Sequence, residues 1–375
     1  MRYLTKYIKK DMHRKMVFIG GPRQCGKTTL VKDILDREAT GLYLNWDDDD
    51  DRKLILKKRW STSDKLLIFD ELHKFGRWKN WIKGVYDKTG NLHQILVTGS
   101  ARLDLYRRGG DSLMGRYHYW RLHPFSLCEL PSGISTQDGF DRIMRLGGFP
   151  EPFLQNDERE ARRWRRERLE KVVKDDLRDL EAVRDISGIM LLLDLLRERV
   201  GGTIVMSNLA EDLQVAAKTV KHWIDLLERM YVIFVVKPYV GKISRALSKP
   251  TKIYFYDNGD VIGDDGQKFE NLVAAHLLKR LQFLEDKDGY RYELAYIRDK
   301  EKREVDFVVL KERKVERCIE AKWNDDKPSS SLKYFSERLN PEHQSIQLVG
   351  TLARGFHSGG IDVEPAVKWL ADFKY

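Results

Sequence analysis

Gly21-Pro22-Arg23-Gln24-Cys25-Gly26-Lys27-Thr28 has the form G-x-x-x-x-G-K-[ST], the signature of a phosphate-binding loop. Its flanks suit that reading. Met16, Val17, Phe18 and Ile19 form a short apolar run that reads as a buried strand. Thr29, Leu30, Val31, Lys32, Asp33, Ile34 and Leu35 read as an amphipathic helix. A strand, a glycine loop and a helix N-terminus are what a triphosphate needs: backbone N–H groups point inward, and the helix dipole favours negative charge. Gly21 and Gly26 allow the backbone conformation, and Pro22, Arg23, Gln24, Cys25 and Thr29 complete the cradle. Lys27 would reach the β- and γ-phosphates, and Thr28 would ligate Mg²⁺. The bland alternative is a chance glycine-rich turn, which explains neither flank.

Downstream, Leu66-Leu67-Ile68-Phe69-Asp70-Glu71 describes a buried parallel strand whose C-terminal edge meets a ligand, the Walker B pattern. Asp70 would hold Mg²⁺ and Glu71 would polarise the attacking water. His73 is open between a nucleotide sensor and a helix-surface residue. Gln94 to Ser100 is a third buried strand, with Thr98 and Ser100 as polar candidates for the water or γ-phosphate. Gly41 to Trp46 reads as another strand. The aspartates 47–51 cannot all converge on one ion, so they read as a solvated loop and helix start with room for one member near the nucleotide. Arg102, Arg107, Arg108 and Arg116 follow; Arg116 is the choice for an arginine acting on a neighbouring subunit's γ-phosphate, with a surface or DNA-facing role as the alternative.

Gly-Pro-Arg-Gln-x-Gly-Lys-Thr, Phe69-Asp70-Glu71-Leu72-His73, Val97-Thr98-Gly99-Ser100, Gly115-Arg116 and Leu122-His123-Pro124-Phe125-Ser126-Leu127-Cys128-Glu129 together resemble a family of archaeal and bacterial AAA+ ATPases. The resemblance implies a doubly wound parallel sheet, ATP and Mg²⁺ as cofactors, and a ring or other homo-oligomer, a hexamer. Gly147-Gly148-Phe149-Pro150-Glu151-Pro152 continues the family pattern and opens a helical lid region.

Composition is that of a globular chain of two or three domains: 375 residues, 42% hydrophobic, 34% charged. No apolar run approaches a membrane span, and the N-terminus lacks a signal-peptide core. Cys25, Cys128 and Cys318 make no disulfide framework, so a reduced, cytoplasmic setting is expected. The net charge of +10 suggests a polyanionic partner, most simply nucleic acid, and with no apolar run of spanning length no membrane partner is expected. Residues 1–15 are basic and read as a helix lying on the ATPase core or as a polyanion contact. The arginine-dense run from Glu158 to Asp185 reads as a solvated helix, with a nucleic-acid or subunit contact as the sharper reading.

From Ile186 the periodicity is helical up to Gly201-Gly202; a short helix from Ser207, a second from Ala216 to Met230 and β-rich stretches at Tyr231–Pro238 and Lys252–Tyr256 follow. Helix, helix, helix, β-wing is a winged helix-turn-helix. Its second turn helix exposes Lys218, Thr219, Lys221 and His222 to a DNA groove; a lid or subunit contact is the alternative. Residues 266–350 read as helix, three strands, helix, strand. Asp306 on one strand, Glu320-x-Lys322 on the next and Glu270 on the preceding helix resemble PD-(D/E)xK (restriction-endonuclease-like) nucleases. Glu320 and Lys322, two apart, point to one face of their strand. Asp306 and Glu320 would bind Mg²⁺, with Lys322 positioning water; the alternative is a solvated ion-pair edge. Asp362 to Tyr375 reads as a terminal helix.

The expected architecture is therefore α/β: an AAA+ ATPase core at 1–130, a helical lid at 131–185, a winged helix at 186–256 and a nuclease-like domain at 257–375. The expected activity is ATP-driven processing of duplex or branched DNA, such as strand separation or branch migration. An ATP-regulated, metal-dependent endonuclease and a nucleotide-controlled protein-interaction switch are the other two readings.

Overall fold

A computed structural model describes residues 2–99, 113–173, 185–240, 250–373 and 375. Contacts divide the chain into two units, residues 1–124 with Tyr375, and residues 125–374.

The first unit is built on a five-stranded sheet of β1 (Met16–Gly20), β2 (Gly41–Asn45), β3 (Leu66–Asp70), β4 (Gln94–Thr98) and β5 (Tyr117–Arg121). Strand order is β2-β3-β4-β1-β5, and every pairing is parallel. Every residue of β1 and of β3 is buried, as unbroken apolar runs covered on both faces require. Helices α1 (Thr5–Met12), α2 (Lys27–Leu35), α3 (Asp49–Lys57) and α4 (Trp78–Thr89) accompany the sheet. Phe18, Leu67, Phe69, Trp78 and Ile82 belong to its main apolar cluster. β5 is an element that the sequence reading did not anticipate. The N-terminal basic segment forms α1, which buries Ile8 and Met12 beside β1. Asp48 caps α3, its carboxylate accepting from the Asp50 and Asp51 N–H groups, so the aspartate run is indeed a loop and helix start.

The second unit opens with α5 (Thr136–Leu146), α6 (Pro150–Gln155) and α7 (Glu158–Lys171). There follow α8 (Ile186–Arg197), β6 (Thr203–Ile204), α9 (Met206–Leu213), α10 (Ala217–Arg229), β7 (Ile233–Pro238) and β8 (Thr251–Phe255). β8 pairs antiparallel with both β6 and β7. Next come α11 (Asp265–Asp288), β9 (Tyr292–Arg298), β10 (Glu304–Lys311), β11 (Lys314–Lys322), α12 (Ser330–Leu339) and β12 (Ile346–Val349). The chain closes with β13 (Phe356–Ser358), β14 (Ile361–Pro365) and α13 (Ala366–Ala371). The terminal stretch therefore begins as a strand rather than a helix: Ile361 and Val363 alternate inward against β12. The strands join in a mixed sheet of order β13-β14-β12-β11-β10-β9-β7-β8-β6. The fold is α/β, a parallel five-stranded sheet plus a further mixed sheet.

Candidate functional site

The loop 21–26 connects β1 to α2, where parallel strands release the chain toward a ligand. Gly21 has φ +140°, and a Cβ there would lie 2.2 Å from the Leu122 carbonyl oxygen. Gly26 has φ 91° and caps α2 without any side-chain hydrogen bond, leaving that helix end to be met by an anion. Lys27, on the first turn of α2, donates to the Gly21 and Pro22 carbonyls at 3.1 and 2.7 Å. The buried Cys25 lies with its thiol 3.5 Å from the Leu122 carbonyl. Arg2 donates to the Cys25 carbonyl at 2.9 Å, bracing the loop from the N-terminal segment.

Asp70 ends β3 and is buried. Its Oδ2 accepts from the Thr28 and Tyr43 hydroxyls, each at 2.7 Å. Its Oδ1 accepts from the Thr98 hydroxyl, and from the Glu71 N–H at 3.1 Å. Thr28, Asp70 and Thr98, all singled out from sequence, are thus in one hydrogen-bonded group. Tyr43 was missed. Its only signal is alternation in β2, where Tyr43 stands on the face opposite Leu42 and Leu44. Burial, then the bond to Asp70 and its charge, push the Tyr43 phenol upward.

Glu71 follows at φ 55°, a left-handed conformation that a non-glycine residue adopts at a cost. Among the described residues its buried Oε2 has no hydrogen-bond partner, with Lys74 Nζ at 3.5 Å and His73 Nε2 at 3.7 Å. Burial raises the Glu71 carboxyl, against the pull of Lys27 and Lys74. His73 is buried beside it, not on a helix surface. Arg116 lies elsewhere. Its carbonyl accepts from the Met16 N–H at 3.1 Å, at the N-terminal edge of the sheet, whereas the loop 21–26 leaves from the C-terminal end of β1. Its guanidinium pairs with Asp87 at 2.8 Å. Ser100, Arg102, Arg107 and Arg108 fall outside the described residues.

In the second unit, β10 and β11 pair so that Asp306 stands opposite Glu320, and the Asp306 N–H lies 3.4 Å from the Glu320 carboxylate. A register shift between Val305 and Val308 interrupts the β9–β10 pairing where Asp306 sits. Lys322 pairs with Glu320 at 2.8 Å, as their shared strand face requires. Glu270 comes in from α11. Sequence reading missed what lies among them. The Lys252 ammonium on β8 lies 2.8 Å from Glu304, 3.1 Å from Asp306 and 3.2 Å from Glu270. Tyr254, two residues on, donates to Glu270 at 2.6 Å. The signal was a lysine set into the β-run Lys252-Ile253-Tyr254-Phe255, alternating with apolar residues. Burial opposes the Lys252 charge, but the surrounding acidic groups Tyr254, Asp306, Glu270 and Glu304 hold it well above the usual lysine value. Burial and then the Asp306 charge push Glu320 up to about 8. Among the described residues no group of three or more His, Cys, Asp or Glu side chains is disposed to hold a metal ion.

On α10, Lys218, Lys221 and His222 are exposed and Thr219 is half-buried, while Val220, Trp223, Ile224 and Leu227 face the core. Among the described residues no helix is long and apolar enough to cross a membrane.

Three family profiles match the chain: an AAA domain over residues 13–130, a domain of unknown function (DUF8612) over 137–261, and a domain of unknown function (DUF4143) over 265–362. An uncharacterized protein of Methanocaldococcus jannaschii is 23% identical, with 97% of this chain and 91% of its own length covered. One from Haemophilus influenzae is 23% identical over 98% of this chain and 97% of its own. One from Mycobacterium tuberculosis is 24% identical, and the match spans 67% of this chain and 56% of that protein. Among solved structures, a Walker-type ATPase of Pyrococcus abyssi covers 68% of this chain and 92% of its own at 16% identity, with a TM-score of 0.41. Residues 13–130 thus form an AAA-type P-loop ATPase domain, by profile and by strand order. Its cofactors are ATP and Mg²⁺, and the residues present suit both: a helix end open to phosphate, and a threonine hydroxyl already on the Walker B aspartate.

Proposed function

We propose that this protein is an ATP-dependent, DNA-directed motor that processes duplex or branched DNA. The observation that carries the hydrolysis step is the Thr28 hydroxyl bonded to Asp70 at 2.7 Å beside an unbonded Glu71 oxygen. Thr28 and Asp70 would hold Mg²⁺, which when bound neutralises charge on the β- and γ-phosphates. Lys27 exchanges its two loop carbonyls for phosphate oxygens. Glu71, its carboxyl raised by burial, takes up the proton of the attacking water. Thr98 holds the Asp70 carboxylate in place, and Ser100, two residues along the chain, is assigned to the γ-phosphate or the water on the sequence pattern. Arg116 serves the neighbouring copy in a homo-oligomeric ring, since its own loop is at the other end of the sheet.

The run of α8, β6, α9, α10, β7 and β8, with β8 between β6 and β7, supports a winged helix-turn-helix at 186–256. Its exposed Lys218, Lys221 and His222, with Thr219 at their edge, are the DNA-facing set on this reading. The order α11, β9, β10, β11, α12, β12, with β11 and β12 parallel, supports a restriction-endonuclease-like fold for the last domain. The net charge of +10 suits a polyanionic partner.

ATP turnover measured with and without duplex, forked and four-way-junction DNA tests the reading. Stimulation by at least one DNA form, weakened by salt and by Lys218→Glu/Lys221→Glu, is expected. Turnover indifferent to every DNA, with no salt-sensitive binding, overturns it and leaves a nucleotide-controlled protein switch.

A further inference from the structure

A PD-(D/E)xK centre takes a divalent ion between its carboxylates, and the surroundings of Asp306 differ from such a site. A bound Mg²⁺ or Ca²⁺ asks for about six or more oxygen ligands at roughly 2.0–2.6 Å. The distances here are those of an ammonium: three carboxylates at 2.8, 3.1 and 3.2 Å from Lys252 Nζ, one for each of its three protons. Several further acceptor positions are also engaged. Asp306 Oδ2 accepts the Ala321 N–H at 3.1 Å. Glu270 Oε1 takes the Tyr254 hydroxyl as well. Glu304 is paired from outside by Arg298 at 3.0 Å, and Glu320 by Lys322 at 2.8 Å. Four carboxylates therefore face three cations contributed by the chain itself. Gly201, at φ +78°, closes the Glu270 side so tightly that a Cβ there would lie 2.6 Å from its Oε2. Lys252 is only 1% exposed and is anchored in the middle strand of β6-β8-β7.

We propose that this centre is closed by its own chain. The Lys252 ammonium takes the place of the divalent ion, and the cluster locks β8 to β10 and α11 instead of cutting DNA. The inference rests on the restriction-endonuclease-like reading of the last domain and is independent of ATP turnover. A divalent ion entering the cluster would have to sit against this buried ammonium or displace it from its three carboxylates.

Mn²⁺ titration followed by electron paramagnetic resonance tests this on the full-length, nucleotide-free chain. An Asp70→Asn background removes the ATPase domain's own ion. In that background, with Lys252 native, no Mn²⁺ site tighter than about 1 mM is expected, the weak end of protein cation sites. Lys252→Met is expected to gain one site, and the further change Asp306→Asn to lose it. Mn²⁺ bound with Lys252 native and lost on Asp306→Asn overturns the proposal, as does a folded Lys252→Met that binds none. The native-lysine arm decides the matter even where Lys252→Met does not fold. ATP turnover with native Asp70 is read separately, so failure of the motor reading is not mistaken for failure of this one.

Discussion

Asp70, at the end of β3, and Asp306, near the start of β10, are both buried carboxylates among other acidic groups. Asp70 is surrounded by neutral donors: three hydroxyls and the backbone N–H of Glu71. The nearest lysine of its loop, Lys27, is turned to the Gly21 and Pro22 carbonyls instead. Asp306 is met by an ammonium. Hydroxyls orient a carboxylate while leaving its charge for an ion from solution, whereas a buried ammonium cancels that charge at once. Two sites with similar acidic residues thus differ in whether an external cation is wanted, and the difference lies in the partner residues rather than in the acids.

The largest effect that would break this contrast is on the Asp70 side. Glu71→Gln keeps the shape of the side chain but cannot accept a proton. ATP turnover should fall about 10²- to 10⁴-fold, the usual weight of a positioned general base, with nucleotide binding retained. Turnover kept within a few-fold of wild type would remove Glu71 from the chemistry and leave its unbonded oxygen without a role.

On the Asp306 side the matching change is Lys252→Met, which leaves Glu270, Glu304 and Asp306 facing one another without their shared cation. Removing one partner of a buried ion cluster costs about 3–5 kcal/mol. Hydrogen exchange over β10 and β11 should quicken by about two to four orders of magnitude, including at the Ala321 amide, with the AAA domain unaffected. Unchanged protection would mean that the cluster holds nothing together.

A smaller effect separates the centres by pH. Glu320 is raised from the ordinary 4.5 to about 8 in the fold, through burial and then Asp306. The native state therefore binds a proton that the unfolded chain has lost, so this contribution to stability is full below about pH 4.5 and lost as pH rises through about 8. The slope is at most about 1.4 kcal/mol per pH unit for one group. Glu320→Gln should flatten it in urea unfolding of the second unit. An unchanged slope would place the titration elsewhere, for which Asp257, raised to about 7 by burial and then Asp260, is the nearest claimant.

How much of this was legible in the sequence follows the physics of each element. The loop 21–28 and β3 were readable because phosphate and Mg²⁺ restrict both residue type and spacing, and because a strand buried on both faces leaves an unbroken apolar run. β5 was not, since Tyr117-His118-Tyr119-Trp120-Arg121 mixes polar and aromatic residues and sits at the sheet edge. Glu270, Asp306, Glu320 and Lys322 were found by pattern, and they do meet. Lys252 was not, because nothing local says that a lysine in β8 will reach across to β10 and α11. That contact is a product of the tertiary fold, between residues 18 and 54 positions apart.

The finest test of the contrast is Tyr43→Phe. It removes one hydroxyl from Asp70 Oδ2 and nothing else in the immediate group: the Thr28, Thr98 and Glu71 N–H donors stay. The aromatic ring also stays, so the Lys32 ammonium 4.6 Å from its centre keeps its packing. A single hydrogen bond to a charged group is worth about 1.5–3 kcal/mol when its loss leaves the partner bare, and less when other donors remain. Here the carboxylate keeps three, so about 1 kcal/mol is expected, a roughly fivefold loss in kcat/KM for MgATP. If Tyr43 only orients Asp70, high Mg²⁺ restores most of that loss, because the bound ion then does the orienting. A loss as large as that of Glu71→Gln, unrelieved by Mg²⁺, would instead make the phenol a direct contact of the nucleotide or of the attacking water. Asp70 would then no longer be a carboxylate dressed only by neutral donors awaiting an ion.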